Sequence, residues 1–288
     1  MLEIQNLSKT YANGTRALDN VSLSIPNGMF GLLGPNGAGK STLIRTIATL
    51  QEPDKGELLF SGTNIRKKPE SLRKQLGYLP QEFGVYPKVS ALDLLDHIAV
   101  LKGVLKKKER REQVEALLQL TNLHAHRKKA VSTFSGGMRQ RFGIAQALLG
   151  NPKLIVVDEP TAGLDPQERN RFLNMLSEIG TNVVVLLSTH IVEDVRNLCS
   201  RMAILAGGKI LSEGVPEVLI AELSGRLWKK TIEKEAEPAY RKAYNVISSK
   251  LFAGRTIIHV IADIHPNNGF EAAKPDLEDV YFSTLLNN

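Results

Sequence analysis

The sequence predicts an α/β protein whose core is a mostly parallel sheet. Two segments, 154–157 and 183–187, are continuously apolar, as is typical of strands buried on both faces of a parallel sheet. Helices must then cover the two faces of that sheet. Apolar residues recur at helical spacing in five further segments, at 41–50, 91–101, 109–120, 138–149 and 166–179.

An antiparallel β layer is predicted beside this core. Residues 21–25 alternate between apolar and polar side chains, and the turn signal at 26–28 (PNG) leads into a second strand at 29–33. We therefore expect the chain to begin with antiparallel strands. Two adjacent glycines at 207–208, between apolar segments, predict a hairpin that closes the sheet.

The chain divides into two predicted domains, residues 1–223 and a C-terminal extension of residues 224–288. A helical subdomain at about 82–150 is expected within the first domain. The extension is predicted to be a small α+β unit that carries no recognisable chemistry of its own. Its elements are a hairpin and a short terminal helix, at 244–251, 256–264 and 276–286.

Composition limits the class of protein. The chain has 288 residues, of which 42% are hydrophobic and 23% charged, so it can bury a full core. Its formal net charge of +7 fits nucleic acid, anionic lipid head groups or phosphorylated ligands, and composition does not choose among them. The basic run at 106–111 adjoins a predicted helix and is more typical of a solvated helix face than of a ligand site.

The cell compartment is predicted from cysteine usage and hydropathy. A single cysteine, Cys199, excludes an internal disulfide and suits a reducing compartment, so we expect a cytoplasmic protein. No segment approaches the roughly 18 apolar residues that a membrane-spanning helix needs. We therefore expect the chain neither to enter nor to span a membrane.

Residues 34–41 read GPNGAGKS and match the phosphate-loop pattern completely. They lie between a predicted strand and a predicted helix, as a core of the P-loop NTPase type requires. Loop amides and the helix N-terminus can bind phosphate oxygens, Lys40 can reach the β- and γ-phosphates, and Ser41 would ligate Mg²⁺. The predicted ligands are ATP and Mg²⁺, and the candidate nucleotide-binding residues of this loop are Gly34, Pro35, Asn36, Gly37, Ala38, Gly39, Lys40, Ser41 and Thr42.

Two adjacent carboxylates supply the second half of the predicted site. Asp158 ends a buried strand, which is the expected place for a carboxylate that holds Mg²⁺. Glu159 can polarise the attacking water. An ordinary strand-end turn would explain the pair if it stood alone, but the phosphate loop favours a hydrolytic site.

The segment FSGGM at 134–138 precedes a helical pattern, and alone Ser135 would be only a helix N-cap. FSGGM, however, follows Lys40 and precedes Asp158 along the chain. With the motifs in this order, residues 1 to about 223 resemble the ATP-binding cassette (ABC) family, whose signature segment reads LSGGQ. Phe134 and Met138 depart from that signature. Ser135, Gly136 and Gly137 are retained and would present a hydroxyl and helix amides to an anion.

The resemblance implies roles for four further residues. Tyr11 matches the aromatic that stacks on adenine, and Gln81 matches the glutamine that senses Mg²⁺ and the γ-phosphate. Asp165 matches an aspartate at the dimer contact, and His190 matches the switch histidine. Taken alone, Tyr11 would fit a half-buried strand aromatic, Gln81 a surface loop residue, Asp165 a helix N-cap, and His190 a strand-end histidine.

The resemblance also implies a mechanism. One chain would hold ATP on its phosphate loop while the signature of a second chain covers the γ-phosphate, so that two ATP molecules join a homodimer. Glu159 would activate water, and Lys40, Gln81 and His190 would act on the γ-phosphate. Opening and closing of the dimer would be the power stroke.

The implied partner is a separate integral membrane permease subunit, with this chain peripheral on the inner face of the cell membrane. Residues 82–132 would bind that subunit. The groove that receives it would be formed by Phe83, Val85, Tyr86 and Pro87. Equally, these four residues would make only local core contacts. Residues 276–282 (DLEDVYF) resemble the end of drug- and antibiotic-export ATP-binding subunits, which suggests export. The alternative is a soluble ABC ATPase acting on ribosomes or nucleic acid; the single unsplit cassette argues against it, and no nucleic acid partner is expected.

Overall fold

The computed structural model describes residues 1–81, 83–84, 86–161, 163–179 and 183–286. Its strands are β1 Leu2–Thr10, β2 Arg16–Ile25, β3 Gly28–Leu33, β4 Lys55–Phe60, β5 Thr63–Asn64, β6 Leu76–Leu79, β7 Leu154–Asp158, β8 Val184–Thr189, β9 Arg201–Ala206, β10 Lys209–Gly214, β11 Leu227–Ile232, β12 Val246–Phe252, β13 Arg255–Ile261 and β14 Glu271–Ala272. Its helices are α1 Lys40–Ile47, α2 Pro69–Arg73, α3 Ala91–Leu101, α4 Lys107–Leu120, α5 Gly136–Leu148, α6 Pro166–Ile179, α7 Val192–Leu198, α8 Pro216–Ala221, α9 Glu237–Ala243 and α10 Leu277–Leu286.

The central sheet has six strands in the order β10-β9-β3-β8-β7-β6, and only β10 is antiparallel to its neighbour. In the register, Leu33 pairs with Thr189 and Asp158 pairs with Ser188. The carboxyl ends of β3, β7 and β8 therefore meet at one edge. The segments that follow these strands are the ones that the sequence singled out for chemistry.

The predicted antiparallel layer is present, but one expected strand belongs elsewhere. The layer has the order β2-β1-β4-β5, and β2 pairs with β1. The strand after the turn, β3, lies instead in the central sheet between β8 and β9. All residues of β3 except its first are buried, so it is covered on both faces and does not alternate as a layer strand does.

The helices confirm the predicted α/β class. The helices predicted at 91–101 and 166–179 have the same bounds as α3 and α6, and the other three begin one or two residues earlier than predicted. One core lies between the antiparallel layer and the central sheet, and a second lies on the opposite face of the central sheet under α6 and α7. Helices α3, α4 and α5 share a third core. Within the described ranges, no helix is long and apolar enough to cross a bilayer.

The C-terminal residues form a sheet with the order β12-β13-β11-β14 around a small core of their own. The hairpin predicted there is β12 and β13, and the terminal helix is α10. Strand β11 was not predicted, since Lys229 and Lys230 interrupt its apolar pattern. Leu277, Val280 and Tyr281 of α10 pack into the second core of the central sheet. The division of the chain at residue 223 remains a prediction.

One hydrogen bond to a buried carboxylate joins the C-terminal sheet to α10. Asp279 is 4% exposed, and its Oδ1 accepts a hydrogen bond of 2.7 Å from His259 Nδ1. Burial raises the pKa of Asp279, but the hydrogen bonds from His259 and from the Asp276 amide outweigh it and hold that pKa below its ordinary value. The pair therefore stabilises the fold above the pKa of an unfolded aspartate and loses this effect as the pH falls through the folded-state pKa.

We expect Asp279→Asn to lower the free energy of unfolding at pH 7 by about 1–3 kcal/mol, because the half-buried His259 loses its charged acceptor. Denaturant titration of wild type and variant measures the difference. The difference should shrink below about pH 4, where aspartate protonates. Equal midpoints at pH 7 would show that the pair contributes nothing.

Candidate functional site

The phosphate loop connects β3 to α1 in a conformation that its glycines permit. Gly39 has a φ of 107°, and a Cβ atom there would lie 2.3 Å from the Ala17 carbonyl oxygen. A Cβ atom at Gly34 would lie 2.2 Å from the Leu205 carbonyl oxygen. The loop is therefore pressed against neighbouring backbone, and a larger residue at either position would displace it.

The N-terminus of α1 and Lys40 together form an anion-binding group. No side chain caps α1, and its first turn carries no acidic residue, so its amides are available to an anion. Lys40 is 5% exposed, and its Nζ donates to the carbonyl oxygens of Gly34 at 2.7 Å and Pro35 at 3.1 Å. The loop thus holds its own cation in place.

Glu159 lies between two of the predicted site residues. Its Oε1 is 3.5 Å from Lys40 Nζ, and its Oε2 is 3.3 Å from His190 Nδ1. The backbone of Glu159 has a φ of 48°, which is uncommon for a residue with a side chain, and its amide donates to the Ser188 carbonyl oxygen at 2.9 Å. This tight turn after β7 directs the carboxylate toward the phosphate loop.

Asp158 is buried beside Glu159, and its Oδ1 has no hydrogen-bond partner among the described residues. The pKa of Asp158 is raised above its ordinary value, because burial and the charge of Glu159 outweigh the lowering effect of the hydroxyls of Ser188 and Ser41 and of the Lys40 ammonium. An unsatisfied buried carboxylate oxygen near a serine hydroxyl fits a hard cation such as Mg²⁺.

A protein-only metal site is not formed in the described part of the chain, where no cluster of three or more His, Cys, Asp or Glu side chains occurs. Magnesium is usually held by one or two carboxylates together with substrate phosphates and water.

A cavity of about 530 Å³ opens at the phosphate loop. The predicted residues in its lining are Tyr11, Asn36, Gly37, Ala38, Gly39, Lys40, Ser41, Thr42, Gln81 and Glu159. Arg16 also lines it but was not predicted, because β2 contributes it from outside any motif. The hydroxyl of Tyr11 lies 3.1 Å from Thr42 Oγ1 and donates to Gln51 Oε1 at 3.2 Å, while the residue as a whole is 37% exposed. The Tyr11 ring is therefore fixed at the mouth of the cavity.

The other predicted site residues do not line this cavity: Gly34, Pro35, Asp158, His190, Asp165 and the signature residues Ser135, Gly136 and Gly137. Ser135 Oγ accepts from the Met138 amide at 3.3 Å, and Asp165 Oδ1 accepts from the Glu168 amide at 2.9 Å. Each residue thus caps a helix, which was the structural alternative for both. Gly136, the first residue of α5, has open space where a side chain would stand.

The two departures from the family signature are packing residues. Phe134 is buried, and its ring meets that of Phe142 edge-on with centroids 6.3 Å apart. Met138 packs against the core of α3, α4 and α5. Neither replacement disturbs the cap that Ser135 makes on α5.

The predicted docking groove is only partly described. Val85 and Glu82 lie outside the described residues. Phe83 is half-buried and packs between the second and third cores, so it is a local core contact, the alternative that the sequence left open. Tyr86 is exposed.

Comparison with known proteins identifies the class to which this fold and site belong. A family model described as ABC transporter matches residues 18–162. The phosphonates import ATP-binding protein PhnC of Treponema denticola is 37% identical over 237 residues, covering 77% of this chain and 93% of that protein. The linearmycin resistance ATP-binding protein LnrL of Bacillus subtilis is 36% identical, covering 78% of this chain and 72% of that protein. The Nod factor export ATP-binding protein I of Cupriavidus metallidurans is 31% identical, covering 98% and 96%.

Solved structures give the same answer. The dimeric bacterial ABC transporter cassette MJ0796 has a TM-score of 0.69 and 28% identity, covering 75% of this chain and 98% of that chain. A second structure of that cassette is a dimer in a post-hydrolysis state with ADP and Pi, with a TM-score of 0.68. This chain belongs to the ABC transporter family. It is an ATP-binding, ATP-hydrolysing subunit of that class.

Proposed function

We propose that this chain powers export through a separate membrane permease by closing and opening an ATP-bound homodimer. The observation that carries the proposal is the position of Glu159, whose two carboxylate oxygens face Lys40 and His190 beside the phosphate loop. A base, a cation and a hydrogen-bonding imidazole thus converge where the terminal phosphate of a bound nucleotide would lie.

In the proposed reaction, the γ-phosphate lies against the α1 amides and Lys40. Glu159 accepts a proton from water as the water oxygen bonds to the γ-phosphorus. The bond from that phosphorus to the bridging oxygen breaks, and ADP leaves with the electron pair. His190 and Lys40 stabilise the negative charge on the γ-phosphoryl oxygens.

The metal proposed for this site is Mg²⁺, held by Ser41, Asp158 and Gln81. When bound, the ion supplies neutralisation of charge on the phosphoryl oxygens. The unsatisfied Oδ1 of Asp158 supports this assignment, as does the place of Ser41 and Gln81 in the cavity lining.

The site is proposed to be completed by a second chain. Ser135, Gly136 and Gly137 lie outside the cavity of their own chain, and Gly136 faces open space. The start of α5 is therefore open at Gly136 toward the γ-phosphate of a partner copy, with Asp165 at the contact. The dimeric cassette structures support this arrangement.

Export is supported by the extent of the matches. The Nod factor export protein aligns with 98% of this chain, whereas the phosphonates import protein covers 77% and the methionine import protein MetN of Bacillus subtilis covers 84%. We further propose that the permease lies in the cell membrane and that this chain is peripheral on its inner face. The alternative, a soluble ABC ATPase acting on ribosomes or nucleic acid, draws support from the net charge of +7.

Copurification separates these functions. The tagged chain is captured from its native cells after mild detergent extraction, with and without ATP, and the Lys40→Ala variant serves as control. A polytopic membrane protein in roughly equal amount supports the transporter proposal. Ribosomes or nucleic acid, with no membrane protein, would favour the alternative.

Tyr11→Ala is expected to raise the ATP concentration needed for half-maximal hydrolysis severalfold, because base stacking on an aromatic ring contributes about 1–3 kcal/mol. The matched control is Tyr11→Phe, which keeps the ring and removes only the contacts of the hydroxyl to Thr42 and Gln51. Steady-state kinetics with ATP and GTP measure both variants. If the ATP concentration for half-maximal hydrolysis is unchanged in Tyr11→Ala, Tyr11 is a packing residue and does not stack on the base.

A further inference from the structure

A fully buried carboxylate lies close to the site but takes no part in the reaction proposed above. Asp194 is 0% exposed and stands on α7, four residues after His190. Its Oδ2 accepts from Thr161 Oγ1 at 2.5 Å. Its Oδ1 accepts from Arg169 Nε at 2.9 Å and lies 2.7 Å from Arg169 Nη2. Both oxygens are therefore engaged.

The three residues belong to three different segments. Thr161 is buried and lies two residues after Glu159, Arg169 is on α6, and Asp194 is on α7. Asp194 thus ties the segment that carries Glu159 to the helix that follows His190. The 3.3 Å distance between Glu159 Oε2 and His190 Nδ1 spans the same two segments.

Few other directional side-chain contacts fix the start of α7: Glu193 Oε2 lies 3.5 Å from Arg169 Nη2, and Glu193 is largely exposed. The helix has seven residues and no side-chain N-cap, and the Ile191 amide donates to Thr189 Oγ1. Val195 packs in the apolar core and gives no directional contact. Burying a carboxylate is costly unless its partners are well placed, and an apolar residue would pack there at lower cost. The charge at position 194 therefore points to a requirement for orientation.

We propose that Asp194 is a positioning residue for ATP hydrolysis. Through Thr161 and Arg169, it fixes the positions of Glu159 and His190 relative to each other. The proposal rests on the function proposed above. It predicts that the Thr161 hydroxyl affects the rate of the chemical step, although Thr161 does not line the cavity at the phosphate loop and its hydroxyl donates to Asp194. A displacement of about 1 Å in a catalytic group can cost 10²-fold in rate.

The test compares Thr161→Val, which keeps the volume and removes the hydroxyl, with Thr161→Ser, which keeps the hydroxyl. We expect kcat to fall at least about tenfold in the valine variant, with the KM for ATP changed less than about twofold, and to stay near wild type in the serine variant. Thermal midpoints verify that both are folded. Equal kcat in the two variants, whether high or low, would overturn the proposal.

Two further variants keep the test decisive if Thr161→Val does not fold. Arg169→Gln removes the second partner of Asp194 and should lower kcat in the same way, with KM for ATP unchanged. Asp279→Asn breaks the other buried carboxylate pair, between α10 and the C-terminal sheet, and should leave kcat unchanged. A wild-type kcat in Arg169→Gln, or an equal loss in Asp279→Asn, would contradict the proposal.

The outcomes separate this inference from the proposed function. If Glu159→Gln hydrolyses ATP at the wild-type rate, the proposed function fails whatever Thr161 does. If Glu159→Gln is inactive and Thr161→Val is fully active, only the role of Asp194 is lost.

Discussion

Replacement of Glu159 by glutamine is expected to slow ATP hydrolysis by about 10²- to 10⁴-fold, the range that a general base contributes. Glutamine keeps the shape of the side chain beside Lys40 and His190, but its amide does not accept a proton from water. Nucleotide binding should persist, since the phosphate loop is unchanged and a negative charge near the γ-phosphate has been removed. The ATP-bound dimer should therefore accumulate.

Two measurements check this expectation. Phosphate release reports turnover, and size-exclusion chromatography with light scattering reports mass with and without ATP. Glu178→Gln is the matched control, since Glu178 is an exposed carboxylate on α6. Rapid hydrolysis by Glu159→Gln would remove the assigned base, and a monomer in ATP would count against ATP-driven dimerisation.

Lys40→Ala should have the second large effect. Hydrogen bonds to charged groups contribute about 1.5–3 kcal/mol, so nucleotide affinity should fall roughly 10- to 150-fold and hydrolysis should stop. The substitution also removes the donor to the Gly34 and Pro35 carbonyl oxygens, which loosens the loop itself.

Titration with a fluorescent ATP analogue measures affinity, and phosphate release measures hydrolysis. Lys55→Ala, at an exposed position of β4, controls for the loss of one positive charge. Wild-type affinity and turnover in Lys40→Ala would remove the phosphate-loop assignment.

Those parts of the fold that depend on local pattern could be predicted from the sequence. The bounds of α3 and α6 follow from helical periodicity, and β7 and β8 follow from continuous apolar runs. The parallel arrangement then brings Asp158 and Thr189 to one edge of the sheet. Because Lys40, Glu159 and His190 each follow the end of a strand in this parallel arrangement, they lie close together.

Features that depend on long-range pairing could not be predicted in this way. The turn at 26–28 predicts a hairpin, yet β2 and β3 belong to different sheets. The strands that pair with β3 are β8 and β9, which lie more than 150 residues further along the chain. Arg16 reaches the cavity from a strand without a motif. Asp194 reads as one polar residue of a short helix, and its partners Thr161 and Arg169 become visible only in three dimensions.

We propose that each active site is shared between two chains, and mixing two inactive variants tests this arrangement. Lys40→Ala disables the phosphate loop. Gly136→Asp places a carboxylate at the start of α5, where the single chain has room for it. A dimer of the two variants would contain one site with both disabled halves and one site with an intact loop and an intact signature.

Phosphate release is measured for each variant alone and for equimolar mixtures, with Gly136→Ala as the control for a side chain without charge. We expect the two variants to be inactive separately and mixing to restore a substantial fraction of wild-type hydrolysis. If mixing restores nothing while both variants remain folded and Gly136→Ala is active, the site does not lie between two chains.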